Sequence, residues 1–272
     1  MSEIVSFDGF SLRAQGATLS LSLLAGHAMA LVGPAASGKT RLLRAVLGAD
    51  KPAQGLVQTK GSVAIAGLEG TLRRSTPEST AKRYAPGKSA DVVARALHEL
   101  MLWEVRETPL NSLSPSQIAA CELIPVLCSG AQLLLVDGQL DRLDPWTNRS
   151  ARLALRSRFD QGAAGIVVTN QPDRTYEVLC VLVDHTVRFA GSPEQLLKQT
   201  APTSVTVASE NQPGVRALVA PFRVSVRTSE QGTVYQADEG QQLAARLLLE
   251  GYGDVEFVLV SQPTLEEALL SL

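Results

Sequence analysis

The chain holds few cysteines, no block of like charge and no long uninterrupted apolar run, and each shortage removes a class of function. Three cysteines in 272 residues, Cys121, Cys128 and Cys180, form an odd, scattered set inside apolar segments. That pattern excludes a disulfide frame or a cysteine metal site and fits buried, reduced thiols. Lys plus Arg number 25 against 27 Asp plus Glu, a net charge of −2. Without a basic block there is no electrostatic footprint for DNA or RNA, so no nucleic-acid partner is expected. The longest apolar stretch, Ile118 to Val136, is interrupted by Glu122, Pro125, Ser129 and Gln132 and cannot pass for a membrane span. No charged, then hydrophobic, leader opens the sequence, and neither a repeat nor a low-complexity tract occurs within it. The expectation is a cytoplasmic protein, with length enough for one large domain and a smaller companion.

What is present is a change of period along the chain. Glu3 to Leu24 alternates apolar and polar residues, the signal of antiparallel strands. Ala28 to Val32 is a solid apolar strand of the doubly buried kind, followed by a Gly-rich turn and a helical run from Lys39 to Leu47 that stops at Gly48. Periodicity is poor from Pro77 to Ala90. It is helical from Asp91 to Val105 and from Gln117 to Leu127. Two more buried strands, Leu133 to Asp137 and Gly165 to Thr169, flank a helix around Arg149 to Phe159, which predicts a parallel α/β sheet. After Pro202 the pattern turns to short strands at Thr203–Val207, Phe222–Val226, Thr233–Tyr235 and Val255–Val260, with helices at Gln241–Leu249 and Leu265–Leu272. This is a separate small α+β domain.

Gly33-Pro34-Ala35-Ala36-Ser37-Gly38-Lys39-Thr40 fits GxxxxGK(S/T) and sits directly after a buried strand, opening a helix that continues through Arg41. In that context the backbone N–H groups of the loop and helix start surround phosphates. Lys39 places a charge on the outer ones, and the Thr40 hydroxyl is free to ligate Mg²⁺. An accidental Gly-rich turn is the plain alternative. A phosphate loop alone does not separate a transport ATPase from a GTPase or a small-molecule kinase.

The series Leu113-Ser114-Pro115-Ser116-Gln117, a helix, Leu133-Leu134-Leu135-Val136-Asp137 and then Leu143-Asp144 resembles the ordered signature, Walker B and D-loop of ABC ATPases. The resemblance spans about the first 200 residues. It implies a P-loop NTPase fold of ABC type, with a parallel sheet core, an N-terminal antiparallel β layer and a helical subdomain at about 69–130. The nucleotide-binding domain then covers 1–200 and the small α+β domain 203–272. It also implies ATP and Mg²⁺ as ligands, with Thr40 and Asp137 at the metal, and Phe10 as the aromatic that stacks on adenine. Phe10 is equally readable as a core residue of the β layer. Ser114 and Gln117 form an S-x-x-Q capping box with Pro115 at the first helical position. In ABC dimers that helix end faces the γ-phosphate held by the opposite subunit.

The pattern departs from the family where hydrolysis is carried out. The Walker B Asp of the family is followed by a Glu that polarises water, whereas Asp137 is followed by Gly138. The family's His after the next strand is Asn170, and no Gln stands near Gly67 or Leu68. Ala36 replaces the family's middle glycine, which restricts the backbone if positive φ is needed there. Losing a positioned base costs on the order of 10²–10⁴ in rate. The resemblance thus implies an ATP-binding subunit with little hydrolysis of its own, paired with a competent ABC ATPase and a membrane permease at the inner face of the membrane. A non-hydrolysing homodimer with a regulatory or scaffold role is the alternative within the family, and a phosphotransferase the one outside it. Pro263 to Leu269 resembles the tail of ABC exporter ATPases, or is a plain helix capped by Thr264 and Glu267.

Overall fold

The computed structural model describes residues 2–68, 74–85, 87, 90–200, 203–229, 232–237, 239–251, 255–261, 264–270 and 272. The chain divides into two compact units, residues 1–193 and 194–272. Residues 69–73 and 201–202, where two of the expected boundaries fall, lie outside the described residues. Among the described residues no helix is long and apolar enough to cross a membrane.

The first unit runs β1 (Glu3–Ser11), β2 (Leu19–Leu24), β3 (Ala28–Val32), α1 (Lys39–Val46), β4 (Gln54–Thr59), β5 (Val63–Ile65), α2 (Pro77–Tyr84), α3 (Ala90–Glu99), α4 (Pro115–Glu122), α5 (Ile124–Cys128), β6 (Leu133–Asp137), α6 (Pro145–Asp160), β7 (Ala164–Val168), β8 (Val178–Val183) and β9 (Thr186–Gly191). The alternating segments make a three-stranded antiparallel sheet, β2-β1-β4. The solid apolar segments make the six-stranded sheet β5-β6-β7-β3-β8-β9, parallel except for the β8–β9 hairpin. Every residue of β3 and β7 is buried, as a strand covered on both faces requires.

One core joins the two sheets. Val5, Phe7, Leu19 and Leu23 of the antiparallel layer pack with Leu42 and Leu43 of α1 and with Met29, Leu31, Leu135, Ile166 and Val168 of the parallel sheet. Burying a side chain of this size contributes on the order of 1.5–3 kcal/mol, so the layer is held to the sheet chiefly by this contact. The register then sets the edge of the sheet. Leu31 pairs with Val168, and Asp137 pairs with Val168 from the other side, so β3, β6 and β7 end level and their loops leave together.

The weakly periodic stretch from Pro77 does form a helix, α2. Its start is fixed by end chemistry, with Thr76 and Ser79 in a reciprocal capping box and Pro77 at the first position. Eight residues are too few for periodicity to show. The helix over Gln117 to Leu127 divides at Leu123 into α4 and α5, with Pro125 in the first turn of the second.

The second unit follows α7 (Pro193–Thr200) with β10 (Thr203–Ala208), α8 (Gln212–Val219), β11 (Val224–Ser229), β12 (Gly232–Ala237), α9 (Gly240–Glu250), β13 (Phe257–Ser261) and α10 (Leu265–Leu270). The sheet order β11-β12-β10-β13, antiparallel throughout, is a split βαβ arrangement with two helices on one core. That core gathers Val205, Val207, Val215, Val219, Tyr235, Leu243 and Leu247. Thr264 and Glu267 exchange the two hydrogen bonds of a capping box at the start of α10.

Candidate functional site

Val32 ends β3 inside the core, and the chain turns at Gly33 into the loop that opens α1. Two features give this loop its shape. Gly38 stands at φ 101°, and a Cβ there would meet His185 Nδ1 at 2.6 Å and Leu12 Cδ1 at 2.8 Å, so only glycine fits. Ala36 takes φ 60°, the left-handed conformation that its methyl disfavours. The restriction expected at Ala36 is therefore present as strain. Pro34, Ala35 and Ala36 are exposed, and Ser37 is buried beneath them.

Lys39 Nζ turns back into the loop, donating to the carbonyl oxygens of Gly33 (2.6 Å) and Pro34 (2.7 Å). Burial lowers its pKa, while the carboxylates of Asp137 and Asp141 act in the opposite direction. The ammonium thus occupies the concave side of the loop, where it would meet phosphate oxygens. Thr40 Oγ1 donates to Asp137 Oδ2 at 2.9 Å. A hydroxyl and a carboxylate from two different elements meet there, both hard oxygen donors of the kind Mg²⁺ takes, so the residues present fit that ion. A depression of about 320 Å³ lies over the loop, lined by Ala36, Ser37, Gly38, Lys39, Thr40, Arg41 and His185.

The neighbouring loop, after β6, is built differently. Asp137 N–H donates to Gln139 Oε1 at 2.7 Å, and Gln139, 5% exposed, plugs the space beneath the strand end. Gln139 is thereby a structural residue. Gly138 has φ 81°, and nothing stands within 4 Å of where a Cβ would be. The space for a side chain is open, but the backbone is one that an L-residue adopts only with strain. At the end of β7, Asn170 is exposed and its N–H donates to Asp141 Oδ2 at 2.8 Å, while Thr169 Oγ1 donates to Asp141 Oδ1 at 2.7 Å. One carboxylate from the loop after β6 therefore clasps the strand end where the family pattern has its His.

Ser114 and Gln117 take the geometry expected of them. Gln117 N–H donates to Ser114 Oγ at 3.3 Å, and Ser114 N–H donates to Gln117 Oε1 at 2.9 Å. The structure thus places the two together at the exposed start of α4 and brings Lys39, Thr40 and Asp137 together at the phosphate loop. Phe10 requires a correction. Its side chain is 0% exposed and packs edge-on against Phe7, with ring centroids 5.4 Å apart, inside the shared core. A sealed ring offers no face to a base, so of its two roles it takes the core one.

Sequence reasoning did not reach Asp141, Arg152 or His185. Arg152 of α6 bonds to Asn148, Asp173, Thr169 and the Gln171 carbonyl, tying the helix to the segment after β7. Asp184-His185 lies between two apolar runs without the Asp-Gly or Asn-Gly pair that marks a hairpin, and nothing in the sequence said that this turn would rest on the phosphate loop.

A phosphate loop after the third strand, a carboxylate at the end of β6 facing the loop's threonine, and a helical insertion before that strand define a nucleotide-binding protein of P-loop type. Residues 17–140 match the ABC transporter family. The chain is 30% identical over 154 residues to the cytochrome c biogenesis ATP-binding export protein CcmA of Novosphingobium aromaticivorans, a match covering 57% of this chain and 80% of that one. It is 31% identical over 177 residues to the zinc import ATP-binding protein ZnuC of Roseobacter denitrificans, covering 62% and 69%. A solved ATP-binding cassette of an ABC transporter in its ADP conformation superposes with a TM-score of 0.58 at 16% identity over 72% of this chain and 93% of that one, a likeness of fold alone. The chain belongs to the family of ATP-binding proteins of ABC transporters.

Proposed function

We propose that this chain is an ABC subunit that binds Mg·ATP at the loop over residues 33–41 and hydrolyses it slowly or not at all. The observation that carries the reading is the pairing of Thr40 with Asp137 beside Gly138, a position with no side chain to act as a base. Thr40 and Asp137 would hold Mg²⁺, which supplies charge neutralisation to the phosphates when bound. The loop amides and the start of α1 orient the phosphates, and Lys39 leaves its carbonyl partners to meet the outermost one. No carboxylate directly follows Asp137 to take a proton from water, Asp141 is engaged by Thr169 and the Asn170 N–H, and Asn170 cannot serve in its place because an amide is not a base. In this reading Ser114 and the start of α4 complete the site of a competent partner ATPase, and a permease connects the pair to the membrane.

The test is a Mg·ATP titration of the purified chain beside Lys39→Ala. Removing a charge-assisted contact worth about 1.5–3 kcal/mol should weaken binding by at least tenfold. Equal affinities would remove the phosphate-loop assignment.

A further inference from the structure

The depression over the phosphate loop is lined by six consecutive loop and helix residues, 36–41, and by His185, which comes from the turn between β8 and β9. That turn is costly to build. Val183 pairs with Thr186, which leaves a two-residue connection, and both connecting residues are left-handed, Asp184 at φ 49° and His185 at φ 62°. A turn with positive φ at both positions favours Asn or Asp followed by Gly, and here the glycine position carries an imidazole. The ring adds a second cost. His185 Nδ1 is buried against Gly38 and has no hydrogen-bond partner among the described residues. The turn's own attachment to the loop needs neither, because His185 N–H donates to the Ser37 carbonyl at 3.0 Å through the backbone, as glycine would. Backbone strain at a residue that lines a pocket is the pattern expected where a side chain is kept for a role there, and the sealed Nδ1 leaves the rest of the ring to face the depression.

The geometry points to His185 as a nucleotide-contacting residue that meets the nucleoside part of the ligand. This inference rests on the nucleotide-binding reading above. The loop amides, Lys39 and Thr40 face the phosphates, so what His185 can reach is the part that projects beyond them. Phe10 is sealed in the core, so the aromatic ring lining this depression is the imidazole. Stacking of a base on such a ring tolerates any base, so the residue sets affinity for the nucleoside more than selection among bases.

The experiment titrates the whole chain with Mg·ATP and with Mg·tripolyphosphate, for wild type, His185→Gly and His185→Phe. Glycine suits the turn, so His185→Gly should melt at or above the wild-type temperature. Its affinity for ATP should fall about tenfold with tripolyphosphate affinity unchanged, and His185→Phe should retain most ATP affinity. An equal loss for both ligands would show that the ring shapes the loop rather than meeting the nucleoside. Unchanged ATP affinity in His185→Gly would overturn the assignment outright. If wild type binds neither ligand, the nucleotide reading fails first and the role of His185 goes with it.

Discussion

The loop after β3 and the loops after β6 and β7 leave the same level edge of one sheet, yet they carry different equipment. The first keeps a lysine, a threonine and a helix start around a concave backbone. The others present Gly138 and Asn170 where a base and an imidazole would act, and the space is organised by Gln139 and Asp141 instead. The difference follows from how each task is done. Phosphate is held largely by main-chain N–H groups, which survive side-chain changes such as Ala36 as long as the backbone path is kept. Proton abstraction depends on one carboxylate at one position, and no backbone group replaces it.

The strongest way to break this comparison is to put the missing groups back. Gly138→Glu supplies a carboxyl on a backbone at φ 81°, so it should lower stability by about 1–2 kcal/mol and leave the group poorly aimed. Asn170→His alone adds a ring at an exposed position whose N–H remains held by Asp141. Each single change should leave phosphate release at saturating Mg·ATP within a few-fold of wild type, and the double change should exceed the two singles combined. A gain of about 10²–10⁴ from Gly138→Glu alone would show that only the side chain was missing.

A middle-sized effect belongs to Asp144, which caps α6 just after the loop that carries Gly138. Its Oδ1 accepts from Trp146 N–H at 3.1 Å and Thr147 N–H at 3.0 Å, and its Oδ2 accepts from Ser116 Oγ at 2.8 Å. Bonds from Thr147 first, then from Ser116 and Trp146, bring its pKa down to about 2. Asp144→Ala should cost about 0.5–2 kcal/mol in denaturant unfolding at pH 7. The folded pKa lies below the unfolded value of about 3.9, so the carboxylate's contribution is complete above that value and is lost as pH falls towards 2. The wild-type advantage over Asp144→Ala should therefore shrink over that window. An advantage that stays constant down to pH 2 would mean the cap does not depend on charge. A measured cost would sharpen the comparison, since the loop after β6 would then be shown to be firmly anchored, and the proposed loss would be one of chemistry alone.

Much of this was legible in the sequence because it is written in local patterns. The apolar runs of β3, β6 and β7 and the capping box at Ser114 need no knowledge of distant residues. The helix α2 was hidden because its signal lies in Thr76, Pro77 and Ser79 rather than in a stripe. Phe10 was ambiguous for a physical reason: an aromatic on a half-buried strand serves either face, and the shared core with Phe7 decides it only in three dimensions. The contacts of Asp141 with residue 170 and of His185 with Gly38 cross 29 and 147 positions of chain, and no spacing rule reaches that far. The domain limits proposed at residues 200 and 203 stand as a proposal beside the division at 193.

The smallest effect tests the retained side of the comparison. Ala36 at φ 60° carries a penalty of about 1–2 kcal/mol that glycine escapes, while glycine loses about 0.5–1 kcal/mol more in ordering the unfolded chain. The net expectation for Ala36→Gly is a gain of about 0.5–1 kcal/mol, seen as a raised unfolding midpoint. Ala36 is exposed and lines the depression, so its methyl fills no core and its removal leaves no cavity. The added freedom should leave Mg·ATP affinity within about twofold, because Gly38 and the start of α1 still fix where the amides point. A stabilised chain with unchanged affinity would show that the loop tolerates alanine by bearing strain. A destabilised one would mean that alanine's restriction of the unfolded chain outweighs the strain, and that the backbone at this position is at rest.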